Sequence, residues 1–324
     1  MAEIDTSVSK TASASDISTR QTSTILRIHR WAIWFGSIYG VILLLFCLDP
    51  VQRNFIYLHR LKWDNQLDHP EAHGYLPGKV LPFSITTPDN MTLGAWQVLP
   101  ESVYEEYVSE HGFVNNGSLP VEVFKQALER FNTVLFCHGN AATRGFGTRV
   151  RTGQFLSAQN NNFLIFDYRG FADSTPVEPS EEGLLIDARA AWDYLAAENN
   201  VSPDKITVMG HSLGTGVASG LVASLTNEGT LPRSLVLVSP FSSLPHLLKK
   251  FKLFKVFPIL EPLNNVPRLL ELVLSTLKTK FDTFELIRVV YSLANFDNSR
   301  PERSNNQLPR VKEIGYASSD TSST

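Results

Sequence analysis

The stretch Val208-Met209-Gly210-His211-Ser212-Leu213-Gly214 carries the pattern G-x-S-x-G. In that pattern glycines allow a strand-to-helix turn sharp enough to hold a serine hydroxyl exposed. A serine so held becomes a nucleophile for acyl transfer once a base takes its proton. Acyl transfer also needs two backbone N–H groups aimed at the developing oxyanion. Leu213, directly after Ser212, offers one, and the segment His138-Gly139-Asn140-Ala141 offers the other through Asn140 or its neighbour Ala141. His138 reads as a residue that shapes this loop from beneath, and His211 as one directed away from the nucleophile. A base and an acid are harder to find. After Ser212 the chain has one histidine, His246, with no aspartate before it and Asp282 and Asp297 after it. His246 and Asp282 are therefore weak candidates, and no pair is a credible base and acid.

The elements that must hold these residues follow from the apolar pattern. Residues 132–139, 162–170, 205–210 and 234–241 are short apolar runs, and 145–160, 181–199 and 213–226 are helix candidates between them. In the 181–199 segment Leu184, Ala188, Ala191, Trp192 and Leu195 share one face. Apolar strands alternating with helices predict a mostly parallel sheet covered on both faces, an α/β architecture. Before it, Lys79–Pro100 reads as two extended segments joined by a turn at Pro88-Asp89-Asn90, followed by an acidic stretch at Glu101–Glu106. Residues 242–288 read as helical and apolar, with Lys249, Lys250, Lys252 and Lys255 interleaved with Phe251, Phe254 and Phe257. This segment fits either an ordinary amphipathic cap or a cap that leans on a membrane and admits a lipid tail.

The blocks "HGNAATRG", "FDYRGFADS" and "MGHSLGTGVA" resemble the alpha/beta-hydrolase superfamily, and within it membrane-anchored lipases that hydrolyse monoacylglycerols and lysophosphatidylserine. The resemblance covers about residues 80–287. It implies an alpha/beta-hydrolase doubly wound sheet with a helical cap, Ser212 as nucleophile, Leu213 and Asn140 at the oxyanion hole, and Gly210 and Gly214 at the elbow. It also implies a structural role for Asp167, Arg169 and Asp173, with an acid role for Asp173 as a minority reading. The implied activity is carboxylic ester hydrolysis of monoacylglycerol or lysophospholipid, which needs neither metal nor organic cofactor. The pattern departs from the family after Ile287, where strands carrying the acid and then the histidine are expected and "RVVYSLANFDNSRPERSNNQ" stands instead. The fold is therefore expected to be C-terminally incomplete. The alternative function is a truncated, non-catalytic pseudo-hydrolase that binds lipid or protein at a membrane.

Residues 31–48, "WAIWFGSIYGVILLLFCL", form an uncharged run. As a helix they cover about 27 Å, enough for a thin bilayer core with the amphipathic lead-in from Ile25 to Arg30. A single N-terminal signal anchor is expected; Arg20, Arg27 and Arg30 before it equal in number Arg53, Arg60 and Lys62 after it, and only proximity favours a cytosolic N-terminus. The implied location is the endoplasmic reticulum membrane with a lumenal hydrolase domain. The domain plan is a disordered tail at 1–24, the anchor at 25–50, a linker at 51–80, a hydrolase domain at 81–294 with its cap at about 242–280, and a disordered tail at 295–324. The membrane bilayer and a lipid ester are the expected partners. A net charge of −3 without a basic stripe argues against nucleic acid. Two cysteines, Cys47 in the anchor and Cys137 in a core strand, offer neither a disulfide framework nor a metal cluster.

Overall fold

The computed structural model describes residues 14–62, 66–114, 117–253, 257–298 and 310–314. They divide into two units with the boundary between Val51 and Gln52. Phe254, Lys255 and most of both expected tails lie outside the described residues.

The first unit is built on one helix, α1 (Ala14–Phe46). Within it, Leu26–Phe46 is long and apolar enough to cross a membrane. Trp31, Trp34 and Phe35 cluster on it, with ring centroids 5.1 to 6.0 Å apart. The helix starts at Ala14, inside the stretch read from its Ser/Thr content as a tail. No glycine or proline interrupts residues 14–35, so nothing in the backbone stops a helix from extending backwards from the apolar run.

After α1 comes α2 (Asp49–Tyr57), and the second unit begins within it at Gln52. Residues 51–80 are not a linker. Tyr57, Leu67 and Tyr75 are buried, and Trp96 Nε1 donates to the Leu67 carbonyl at 2.8 Å. A polar, proline-punctuated segment hides this because its few large apolar side chains are spaced without a period, yet each fills the core.

The sheet opens with the hairpin β1 (Val80–Thr86) and β2 (Thr92–Val98). Asn90 in its turn takes φ 63°, a left-handed conformation that asparagine tolerates. Two helices then occupy the acidic stretch and its sequel, α3 (Glu101–His111) and α4 (Val121–Arg130). Next come β3 (Thr133–Cys137), α5 (Gly147–Ala158), β4 (Asn162–Phe166), α6 (Glu181–Asp193), β5 (Ile206–His211), α7 (Leu213–Asn227) and β6 (Ser234–Val238). The cap follows as α8 (Leu244–Lys250), a small hairpin β7 (Lys252–Leu253) and β8 (Phe257–Pro258), and α9 (Pro267–Ser275). This hairpin stands within residues 242–288, which the sequence reads as helical throughout. Helix α10 (Thr283–Asn298) and strand β9 (Arg310–Ile314) complete the described chain.

Strand order is β1-β2-β4-β3-β5-β6-β9. The hairpin and the β2–β4 pair are antiparallel, whereas β4, β3, β5, β6 and β9 run parallel. The residues 295–324 read as a disordered tail thus contain a sheet strand, Arg310–Ile314, in register with Ser234–Val238. Its charged sequence gave no apolar run, but at a sheet edge backbone pairing with β6 suffices. Cys137 is paired with Gly210, so the loop after β3 and the turn after β5 emerge side by side at the carboxyl edge of the sheet. Helix α7 packs beneath α10, and Gly216 makes room for the fully buried Phe281, whose Cβ would stand 2.8 Å from a side chain at that glycine.

Candidate active site

Ser212 sits between β5 and α7 at φ 50° and ψ −117°, outside the regions that L-residues adopt freely. Such a conformation costs about 1 to 3 kcal/mol and persists only where surrounding contacts enforce it. Here its N–H donates to the Val238 carbonyl at 3.0 Å, and its own carbonyl accepts from Thr215 N at 2.9 Å and Thr215 Oγ1 at 2.6 Å. The flanking glycines are sterically required. A Cβ on Gly214 would overlap the Cys137 carbonyl, and one on Gly210 would overlap the Gly214 carbonyl oxygen. Both clashes are with backbone, which cannot move aside.

The loop at Gly139–Ala142 lies against this turn, since a Cβ on Gly139 would stand 3.4 Å from the Ser212 Cβ. Ala141 and Ala142 take left-handed φ of 58° and 57°. Two groups hold them so. From α2 and the turn after it, carbonyls accept hydrogen bonds: Ile56 from Asn140 Nδ2 at 3.2 Å, Tyr57 from Ala141 N at 2.9 Å and Leu61 from Ala142 N at 3.2 Å. From α5, the buried Arg149 donates to the carbonyls of Thr143, Gly139, Asn140 and Ala141, the last at 2.6 Å. With the loop carbonyls turned to Arg149 and Ala141 N–H occupied, Asn140 N–H and Leu213 N–H have no protein acceptor among the described residues. Of the two neighbours weighed from sequence, Asn140 is the one whose backbone donor is open. Neither Arg149 nor the α2 carbonyls were singled out in sequence. Their signal is tertiary, although an arginine on the helix directly after a loop of small residues is a place to look.

His138 is fully buried, with Nδ1 2.7 Å from the Gly139 carbonyl and Nε2 3.4 Å from Asp167 Oδ1, an ion-pair distance without hydrogen-bond geometry. Burial, reinforced by the Arg149 charge and only partly opposed by Asp167, pushes its pKa down to about 4. Burial would raise the pKa of Asp167, but the neighbouring His138 ring and the charge and hydrogen bonds of Arg144 outweigh it and hold it down at about 2. Arg144 bridges Asp167 at 2.8 Å and clasps Asp173 with two bonds of 2.6 and 2.8 Å. Arg169 joins Asp187 to Asp89 in a similar way. Asp167, Arg169 and Asp173 are thus engaged in holding the loops around the sheet edge. His211 is half-buried beside Gly139, and burial lowers its pKa.

A pocket of about 250 Å³ opens above Ser212, lined by Ser212, Leu213, Asn140, Phe55, Ile56, Leu58, Phe241, Leu244, Leu247, Leu248 and Phe251. Its wall is apolar apart from the serine and the asparagine. Residues 244, 247, 248 and 251 form one helical face of α8, which places His246 on the opposite face, where it is exposed. Asp282 is also exposed and accepts from Glu285 N at 3.3 Å as a cap of α10. Neither lines the pocket, so the structure does not bring the weak base and acid candidates to the serine. Among the described residues no histidine or carboxylate lines it, and no cluster of metal-binding side chains is present.

Comparison with known proteins places these features in context. The profile of the alpha/beta hydrolase family matches residues 134–305, from β3 past α10. The lysophosphatidylserine lipase ABHD12 of Gallus gallus is 32% identical over 222 residues, 67% of this chain and 55% of that protein. Its counterpart in Danio rerio is 30% identical over 229 residues, 69% and 56% of the two chains. The chain thus spans about half the length of the curated relatives it matches. Among solved structures, an alpha-beta hydrolase from Vibrio vulnificus aligns with a TM-score of 0.48 at 16% identity over 82% of each chain.

Proposed function

Because this chain belongs to the alpha/beta hydrolase family, we propose that it is a membrane-anchored serine hydrolase acting on carboxylic esters of single-chain lipids, such as a monoacylglycerol or lysophospholipid. Ser212 is the nucleophile and the N–H groups of Leu213 and Asn140 form the oxyanion hole. One observation carries this reading: a strained serine with two open backbone donors beside it faces an apolar pocket. Ser212 Oγ would bond to the acyl carbon, the ester C–O bond would break, and the alcohol would leave with a proton. Water would then release the fatty acid and restore the serine. The pocket lies just under the usual range of about 300 to 1,000 Å³ for ligand sites, and its aliphatic and phenyl lining suits a slender acyl chain better than a polar group. The similarity to lysophosphatidylserine lipases supports this substrate class. The span at Leu26–Phe46 supports a membrane anchor, with the hydrolase unit on the lumenal side of the endoplasmic reticulum.

A second reading has its own observation. The pocket presents no histidine or carboxylate among the described residues, and a triad stripped of its histidine loses about six orders of magnitude in rate. On this reading the chain is a membrane-bound module that holds a lipid without cleaving it. Labelling with a fluorophosphonate separates the two. An active serine gives covalent labelling of the wild-type chain that disappears in Ser212→Ala, whereas a binding module stays unlabelled and still protects a bound fatty acyl probe. An unlabelled wild-type chain ends the hydrolase reading for this chain.

A further inference from the structure

Helix α9 has an apolar arc wider than its packing uses. Leu270 and Val273 are buried, but Leu269 and Leu272 beside them, and Val266 just before the helix, are 38%, 63% and 50% exposed. Leucines in such a position are costly in water, at about 25 cal/mol for each Å² left uncovered. The polar residues Arg268, Glu271 and Ser275 are confined to the remaining side of the helix. The sequence that contains this helix is one-sided in charge. Residues 244–280 hold six lysines and one arginine against two glutamates, in a chain whose net charge is −3.

The covalent path says what lies near. Gln52 follows the last residue of the span, Phe46, by six positions, which an extended chain covers in about 20 Å. Gln52 is itself fixed to the end of α9: its Nε2 donates to Thr276 Oγ1 at 2.9 Å, and Thr276 directly follows the helix. A second tie joins Tyr57 Oη to Thr279 Oγ1 at 3.0 Å. A helix whose end is tied to a residue six positions after a segment of spanning length, apolar on its open side and lying in a basic stretch of sequence, has the chemistry of an interfacial helix.

We infer that α9 docks on the bilayer surface, with Val266, Leu269 and Leu272 in the acyl–headgroup boundary and the surrounding lysines and Arg268 on anionic headgroups. The occupant is the lipid surface itself. The consequence for the pocket is direct, because Phe55 and Ile56 of α2 form its wall about one helical turn from Gln52, and a lipid could pass from the bilayer along this side without crossing water. The inference rests on reading Leu26–Phe46 as a span and is independent of whether Ser212 reacts.

The test places an environment-sensitive fluorophore at single positions of the full chain in a Cys47→Ser background, where the remaining Cys137 is buried. The positions are Leu272→Cys or Leu269→Cys on α9, Phe155→Cys on the exposed side of α5, and Ile38→Cys in the span. The protein is reconstituted in phosphatidylcholine vesicles with and without phosphatidylserine, each containing a brominated lipid as quencher. Docking predicts that the probes at 38 and on α9 lose most of their emission while that at 155 keeps it, with greater loss on α9 when phosphatidylserine is present. Quenching at 38 with both α9 probes as bright as that at 155 overturns docking and leaves the span intact. Absence of quenching at all positions overturns both. Equal α9 quenching in the two vesicles overturns the preference for anionic lipid.

Discussion

His138 illustrates how much a single side chain beneath the Gly139–Ala142 loop can weigh. It is buried and held neutral, its pKa down at about 4 against 6.5 for an unperturbed histidine. Because the folded value lies below the unfolded one, acid protonates the unfolded chain first. The stabilisation is fully present above about pH 6.5 and is lost as pH falls through about 4, a difference of about 3 kcal/mol. Urea midpoints measured between neutral pH and about pH 4 should fall accordingly, and in His138→Asn the fall over the same interval should be smaller, with His211 and His59 keeping a share. An equal slope in the two proteins would assign the acid sensitivity elsewhere. The window for Asp167 lies lower, between its ordinary value near 3.8 and about 2, so the two effects separate on the pH axis. At this scale sequence is a good guide wherever chemistry is local. Gly210, Ser212, Leu213 and Gly214 are neighbours in the chain, and their spacing alone gives the turn. Arg149 reaches back to carbonyls up to ten positions earlier, and nothing in its local surroundings marks which groups it serves.

The elements divide along the same line. Strands β3 to β6 are legible as uninterrupted apolar runs and α6 by its helical face, while α5 and α7 follow from their places between strands. Helix α3 is not, because its glutamates conceal an apolar stripe of Val103, Tyr104, Tyr107 and Val108 at helical spacing. Strand β9 is not, because an edge strand carries little apolar signal. The seam between α7 and α10 depends on size rather than polarity: Gly216 is small because Phe281 is large. Glu181 reinforces it by accepting from the N–H groups of Lys280 and Phe281. Phe281→Ala should therefore cost about 3 to 5 kcal/mol. Chemical denaturation would show this as a lowered midpoint with an unchanged slope, and a loss below about 1 kcal/mol would mean that the Gly216–Phe281 contact contributes little to the folded unit.

For the whole molecule, the first unit supplies one helix of spanning length and the second the hydrolase fold. Charges placed at the centre of a span cost about 2.5 to 3.5 kcal/mol each. Ile38→Asp combined with Val41→Asp should accordingly release the protein from membranes on alkaline carbonate extraction, while the unaltered chain stays in the pellet. Retention of the doubly charged variant would assign membrane attachment to the second unit instead. The boundary between the units also explains why residues 51–80 look like a spacer in sequence and are not one. The last carbonyls of α2 and the turn after it receive the N–H groups of Ala141 and Ala142 and the amide of Asn140, so the first residues of the second unit form one bank of the loop beside Ser212. The hydrolase unit therefore begins well before its first sheet strand. A soluble version would have to retain the chain from Gln52 onward, and a transplanted anchor that altered Ile56 or Tyr57 would detune the loop beside Ser212 without touching a residue of the elbow.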